Sequence, residues 1–253
     1  MIDTPRGPCN ALLYGIPRRA TITDPQHHAV PADEAGLEPD EPGAGRLTSL
    51  RAQIEQRYGY LPAFFEPALA CPDTLADLWH AVRHAYLDSP LPERLKELTF
   101  LLAMRRSGAG LVEHALALTR QGLTPTAVLA VLDDPQAYIR QLLGRYDSLR
   151  EQGLKFETWP EDPVASDSLI DCGLAFVADP HEGAAGRAAL AAALAPPLYA
   201  RWAALVACAR GRAAWYELHP DLMRRVDPPL AEAHAWLLHE APGLARHFGE
   251  PTP

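Results

Sequence analysis

The sequence predicts an all-α protein on three observations. Apolar residues recur at three- and four-residue spacing over most of the chain beyond residue 46. Proline and short polar residues stand where helices would begin, and no segment alternates apolar and polar residues for long enough to make a strand. Residues 1–45 read differently: they are rich in proline, glycine and scattered acids and carry no hydrophobic period, which predicts an extended arm. From there Leu47, Leu50, Ile54 and Tyr58 predict a first helix, stopped at Gly59. The Tyr-Leu-Pro-Ala-Phe-Phe run that begins at Tyr60 reads as a tight apolar turn. Pro72, Asp73 and Thr74 open a second helix with Leu75, Leu78, Trp79, Val82 and Tyr86 on one face. Ser89 to Glu93 starts a third, faced by Leu95, Leu98, Leu101 and Leu102. Gly108 and Gly110 break the chain before a helix over 111–121, Gly122 stops that helix, and Thr124-Pro125 caps another running to 132.

A linker over 153–163 separates this first helical lobe, 46–150, from a second over 164–253, with helices predicted near 167–178, 184–194, 199–218 and 229–238. The second lobe echoes the first. At an offset of 104, the segment 102–108 lies over 206–212, Glu113 falls on Glu217, and His114 and His219 come one position apart. The echo predicts two related lobes, against the plainer alternative of two helical hairpins of similar composition.

A net charge of −9 and a pI near 5.5 repel phosphate backbones, and no stretch gathers lysines and arginines among aromatics, so neither nucleic acid nor an anionic membrane is an expected partner. No apolar run is long enough for a signal peptide, and the apolar stretch around Ala188 to Ala200 is split by Pro196-Pro197, so a cytoplasmic protein is expected. Cys9, Cys71, Cys172 and Cys208 stand far apart with no C-x-x-C spacing and read as isolated thiols. The chain has no G-x-G-x-x-G before a helix, no phosphate-binding loop and no G-x-S-x-G, and no cofactor is expected.

A string of landmarks carries a family resemblance. In order they are Val30-Pro-Ala-Asp-Glu-Ala-Gly36, Tyr58-Gly-Tyr-Leu-Pro-Ala-Phe-Phe65, Pro72, Trp79, Leu91-Pro-Glu-Arg-Leu-Lys-Glu97-Leu, His114-Ala and Gly122-Leu-Thr. With them the chain resembles the AhpD-like superfamily of alkylhydroperoxidases and carboxymuconolactone decarboxylases, most of all its two-lobed, peroxidase-related branch, over roughly residues 30–218. The resemblance implies a relay glutamate at Glu97 and a relay histidine at His114. The same register puts the family's two redox cysteines on Ser107 and Gly110. Neither can form a disulfide, so thiol peroxidase chemistry is not expected here. What the resemblance leaves is acid–base work by Glu97 and His114 on a small molecule, as in the cysteine-free decarboxylase-like members. The rival reading is a catalytically silent helical scaffold for oligomerisation or partner binding.

Other residues attract weaker readings. His80 and His84, four apart with Asp77 ahead of them, have the spacing with which one helix face offers two imidazoles to a metal; they equally suit an ordinary interface beside Trp79. Trp202, Trp215, Tyr216, Trp236 and the alanine-rich helices predict core or subunit contact, hence a homo-oligomer.

Overall fold

The computed structural model describes residues 43–135, 137, 149, 153, 155–223 and 225–249. The expected arm over 1–45 therefore falls outside the described residues except at its end, where the first helix already begins. The protein is all-α. Among the described residues there is no strand, only one isolated bridge between Phe156 and Leu194.

Helix α1 spans Gly43–Tyr58 and ends where Gly59 adopts φ 80°. The apolar run after it, expected as a turn, is a short 3-10 helix, Ala63–Ala70. Helices α2, Pro72–Val82, α3, Glu93–Met104, α4, Leu111–Arg120, and α5, Pro125–Asp133, follow. In the second half come α6, Pro163–Ala178, α7, Ala184–Ala193, α8, Pro196–Leu218, and α9, Ala231–Glu240. Proline sits in the first turn of α2, α5, α6 and α8, where its missing N–H costs nothing and its fixed φ suits the helix. Two starts differ from expectation for that reason: Pro163 opens α6 behind the Asp162 cap, and Pro196-Pro197 is the first turn of α8, not a break. The caps themselves are side chains. Thr124 Oγ1 accepts from the Ala127 amide at 3.1 Å, and Asp162 Oδ2 from the Ala165 amide at 2.8 Å.

Helix α3 is buried nearly all round, by Leu95, Leu98, Phe100, Leu101 and Met104 and also by Lys96, Glu97 and Thr99. A helix buried on nearly every side belongs at a centre, and α4, α6 and α8 pack directly against this one. Truncating one of its buried leucines to alanine is expected to cost about 2–5 kcal/mol through lost transfer energy and the cavity left behind. Lys96 folds back: its Nζ donates to the Tyr86 and Ser89 carbonyls at 3.1 and 3.4 Å and reaches Glu93 Oε1 at 2.5 Å. It thus ties down the end of the preceding helical segment.

Helices from both halves of the chain share this one core, so the boundary between a lobe over 46–150 and another over 164–253 is not a boundary in the packing. The internal echo does not carry over to the structure either. Glu113 stands on a separate helix after the glycine break, whereas Glu217 is an exposed residue near the end of the unbroken α8.

Candidate functional site: a buried carboxylate–imidazole chain

Glu97 lies on the central helix α3 and His114 near the start of α4, joined by a turn in which Gly108 and Gly110 take φ 70° and 65°. Left-handed backbone at both glycines reverses the chain tightly enough to set the two helices face to face. The side chains meet: His114 Nδ1 donates to Glu97 Oε2 at 2.7 Å, with His114 0% and Glu97 2% exposed. The other oxygen, Oε1, accepts from the Tyr86 hydroxyl at 2.6 Å. Burial and the neighbouring Glu97 charge hold the Tyr86 phenol well above its ordinary pKa, so it stays a donor. With two donors on its carboxylate, Glu97 fixes the ring so that Nδ1 carries the proton.

Tyr86 reaches Glu97 because α2 does not end regularly. Arg83–Leu87 continues it as a π-turn, closed by the Asp88 amide donating to the Arg83 carbonyl at 2.7 Å. Phe100 stacks on the imidazole, 4.7 Å between centroids and 18° between planes, and Tyr86 meets it edge-on at 5.8 Å. The ring is packed on two sides as well as bonded.

The second ring nitrogen faces another carboxylate. His114 Nε2 lies 3.3 Å from Glu113 Oε1, close in charge but misaligned for a hydrogen bond. The same oxygen is ion-paired to Arg212 Nη2 of α8. Arg212 is itself buried, with its guanidinium carbon 4.9 Å from the Phe64 ring and 5.8 Å from those of Phe100 and Tyr216. Burial alone would lower the guanidinium pKa; Glu113, Tyr216 and Tyr58 outweigh it and hold Arg212 well above the usual value. Four polar groups therefore follow one another, Tyr86, Glu97, His114 and Glu113, with Arg212 paired to the last.

The Glu113 end borders a cavity, whereas Glu97 and His114 in the middle are closed off. The Glu113 side chain, 19% exposed, lines a small cavity of about 30 Å³, room for a water or two, together with Tyr216, Arg225, Asp227 and an apolar wall. Asp227 Oδ1 accepts from the Ala63 amide at 3.0 Å, and burial followed by the Glu113 charge pushes its carboxyl above the ordinary carboxylate range against that bond. Glu97 and His114, the residues expected to act, are one step behind the cavity. Glu113 lines it.

The positions where the resemblance places cysteines are structural. Ser107 is buried and bonds the Met104 carbonyl at 2.8 Å, and a Cβ on Gly110 would come within 2.6 Å of Met104 Cε and 3.1 Å of the Tyr216 hydroxyl. At Gly110 the Met104 and Tyr216 side chains occupy the space a cysteine side chain would need. His80 and His84 place their rings 6.2 Å apart, but His84 has already entered the π-turn and is exposed. Burial, then His84, lowers the pKa of His80. Among the described residues no group of three or more histidine, cysteine, aspartate or glutamate side chains is placed to hold a metal ion.

Sequence reasoning met Glu113 in the internal echo and in the stretch beside His114 without giving it a role, and overlooked Tyr86, Arg212 and Asp227 as site residues. One signal for Arg212 was there: it sits on the stripe Leu205, Ala209, Arg212, Tyr216, an arginine at helical spacing among buried residues. No family model, no curated protein and no solved structure matches this chain.

Proposed function

We propose that the chain is an AhpD-like protein without the redox cysteines, in which Glu97 and His114 relay protons to and from Glu113, the group that meets a small-molecule substrate. What carries the reading is the contact between Glu97 and His114: a 2.7 Å bond to one ring nitrogen with a second carboxylate, Glu113, beside the other. In such a chain Glu113 takes a proton from substrate, the imidazole accepts or returns it through Nε2, and Glu97 stabilises the imidazolium formed on the way. Glu97 and His114 are positioning and relay residues here, and Glu113 is the candidate catalytic one.

Solvent-deuterium incorporation into a mixture of small carbonyl compounds tests this. Incorporation lost in both Glu97→Gln and Glu113→Gln is expected; incorporation indifferent to both substitutions removes the relay. Because Ser107 and Gly110 hold the cysteine positions, dithiol-dependent turnover of organic hydroperoxides is expected to be absent. Turnover abolished by replacing Cys71, Cys172 or Cys208 would place the chemistry elsewhere.

A second reading, the silent scaffold, has one observation in its favour: Glu97 and His114 are almost completely buried, as in a polar core contact. It predicts that substitutions at both change stability alone. Under either reading we expect a homo-oligomer, since Leu218 and Trp236 stand 75% and 43% exposed. No helix among the described residues is long and apolar enough to cross a membrane.

A further inference from the structure

The charges around the cavity do not cancel. Two arginines stand near it and both are engaged: Arg212 with Glu113, and Arg225 with Glu66, through Nη1 to Oε2 at 2.5 Å and Nη2 to Oε1 at 2.7 Å. His114 faces Glu97 and Glu113. Asp227 is the remainder. It lines the cavity, is half-buried and accepts a hydrogen bond from the Ala63 amide, with no cation in ion-pair contact among the described residues. A carboxylate on a partly desolvated wall, with no ion-pair partner among the described residues, creates a site of negative potential. The rest of the wall is apolar, supplied by Val112, Leu222, Leu230 and Phe248.

We propose that this cavity binds the ammonium head of a small aliphatic amine, with Asp227 as its counter-ion and the apolar wall against its carbon chain. The inference rests on the reading of the cavity as the place where substrate enters. Size and charge both enter the argument. About 30 Å³ admits a single ammonium group and leaves the carbon chain toward the opening. A carboxylate or phosphate head would meet Glu113 and Asp227 and find both arginines already bonded to carboxylates. An organic acid, the substrate type of decarboxylase-like relatives, is therefore disfavoured, and an amine is favoured. Seated against Asp227, the ammonium or the carbon next to it comes toward Glu113, which lines the same cavity.

Binding also acquires a pH dependence. The groups that set the charge of Asp227 are Glu113, which disfavours ionisation, the Ala63 amide, Arg212 and Arg225, which favour it, and burial, which disfavours it most. The net shift is upward, so amine affinity is lost on acidification at a higher pH than an ordinary carboxylate would set.

The probes are propylammonium, 1-propanol and propionate, added to the full chain at matched ionic strength, with backbone amide NMR as the readout. Saturable shifts from propylammonium centred on Gly108, Gly110 and Glu113 are expected, and weak or no shifts from propionate. Asp227→Asn keeps the bond to the Ala63 amide yet removes the charge, and should weaken propylammonium by about tenfold or more, the scale of one ion pair at intermediate dielectric, while leaving 1-propanol unchanged. Glu66→Gln releases Arg225 and should weaken propylammonium and admit propionate. Propionate binding as tightly as propylammonium, shifts that never saturate, or an unaltered affinity in Asp227→Asn would each overturn the proposal. Glu97→Gln separates the two ideas: it is expected to leave amine binding intact even if the relay behind Glu113 proves inactive.

Discussion

Replacing Arg212 by methionine tests the Glu113 end of the polar chain most directly. Methionine keeps the length and apolar contacts with Phe64, Phe100 and Tyr216 while removing the charge from Glu113. Stripping one partner from a buried ion pair typically costs about 3–5 kcal/mol, because the other charge is left desolvated. Glu113 retains 19% exposure, so water recovers part of that, and about 2–3 kcal/mol is expected. Loss of the guanidinium over three aromatic rings contributes within that figure. Against a typical total of about 5–15 kcal/mol, this is a large fraction. Urea denaturation should show a lower midpoint with an unchanged slope. The double variant with Glu113→Leu should recover at least half the loss, since no uncompensated charge remains. A single variant within about 0.5 kcal/mol of the parent, or simple additivity in the double variant, would refute the claim that Arg212 compensates Glu113.

Three further outcomes follow from separate features. Gly110→Ala is expected to destabilise by about 1–3 kcal/mol in thermal unfolding, because φ is 65° and the new Cβ would lie 2.6 Å from Met104 Cε; no change would show that Met104 swings aside freely. Asp227 has a folded-state pKa above its unfolded value near 3.8, so its contribution to stability is full below that value and lost as pH rises toward the folded one; Asp227→Asn should remove that downward slope from the stability–pH curve, and an unchanged slope counts against the assignment. Iodoacetamide near neutral pH should label Cys71 before Cys208: the exposed Cys71 thiol is lowered by the Thr74 hydroxyl at 3.1 Å and by the Thr74 amide, whereas burial pushes Cys208 up to about 11; peptide mapping in the reverse order would contradict both environments.

Most helices could be read from the sequence because local chemistry sets them. The stripes of α2 and α3, the prolines opening α2 and α5 and the Thr124 cap all lie within a few residues of the structure they cause. The starts of α6 and α8 were misplaced where proline was read as an interruption instead of a first turn. Packing was less legible. An offset of 104 suggested two lobes, yet α8 lies against α3, a contact that no local pattern encodes. The site divides the same way. Glu97 and His114 came from a motif-like resemblance and do meet, whereas Arg212 reaches Glu113 across 99 residues and Asp227 reaches Ala63 across 164. Tyr86 was assigned to the apolar face of its helix, because a phenol among leucines shows its carboxylate partner only after the fold brings them together.

The π-turn at Arg83–Leu87 makes the length of the α2 segment matter as much as its composition. A five-residue hydrogen-bonded loop within a helix accommodates one residue more than regular winding does. Deleting a single residue there would remove the residue that the wide turn takes up and restore ordinary winding, so Tyr86, which lies inside the turn, would change its place on the helix surface and its hydroxyl would leave Glu97. Glu97 would then lose a donor although every residue of the carboxylate–imidazole chain was still present. The spacing from Pro72 to Glu93 thus behaves as a counted length: a point substitution at Arg83 or His84 should be mild, while a one-residue deletion beside it should detune a site that neither residue touches.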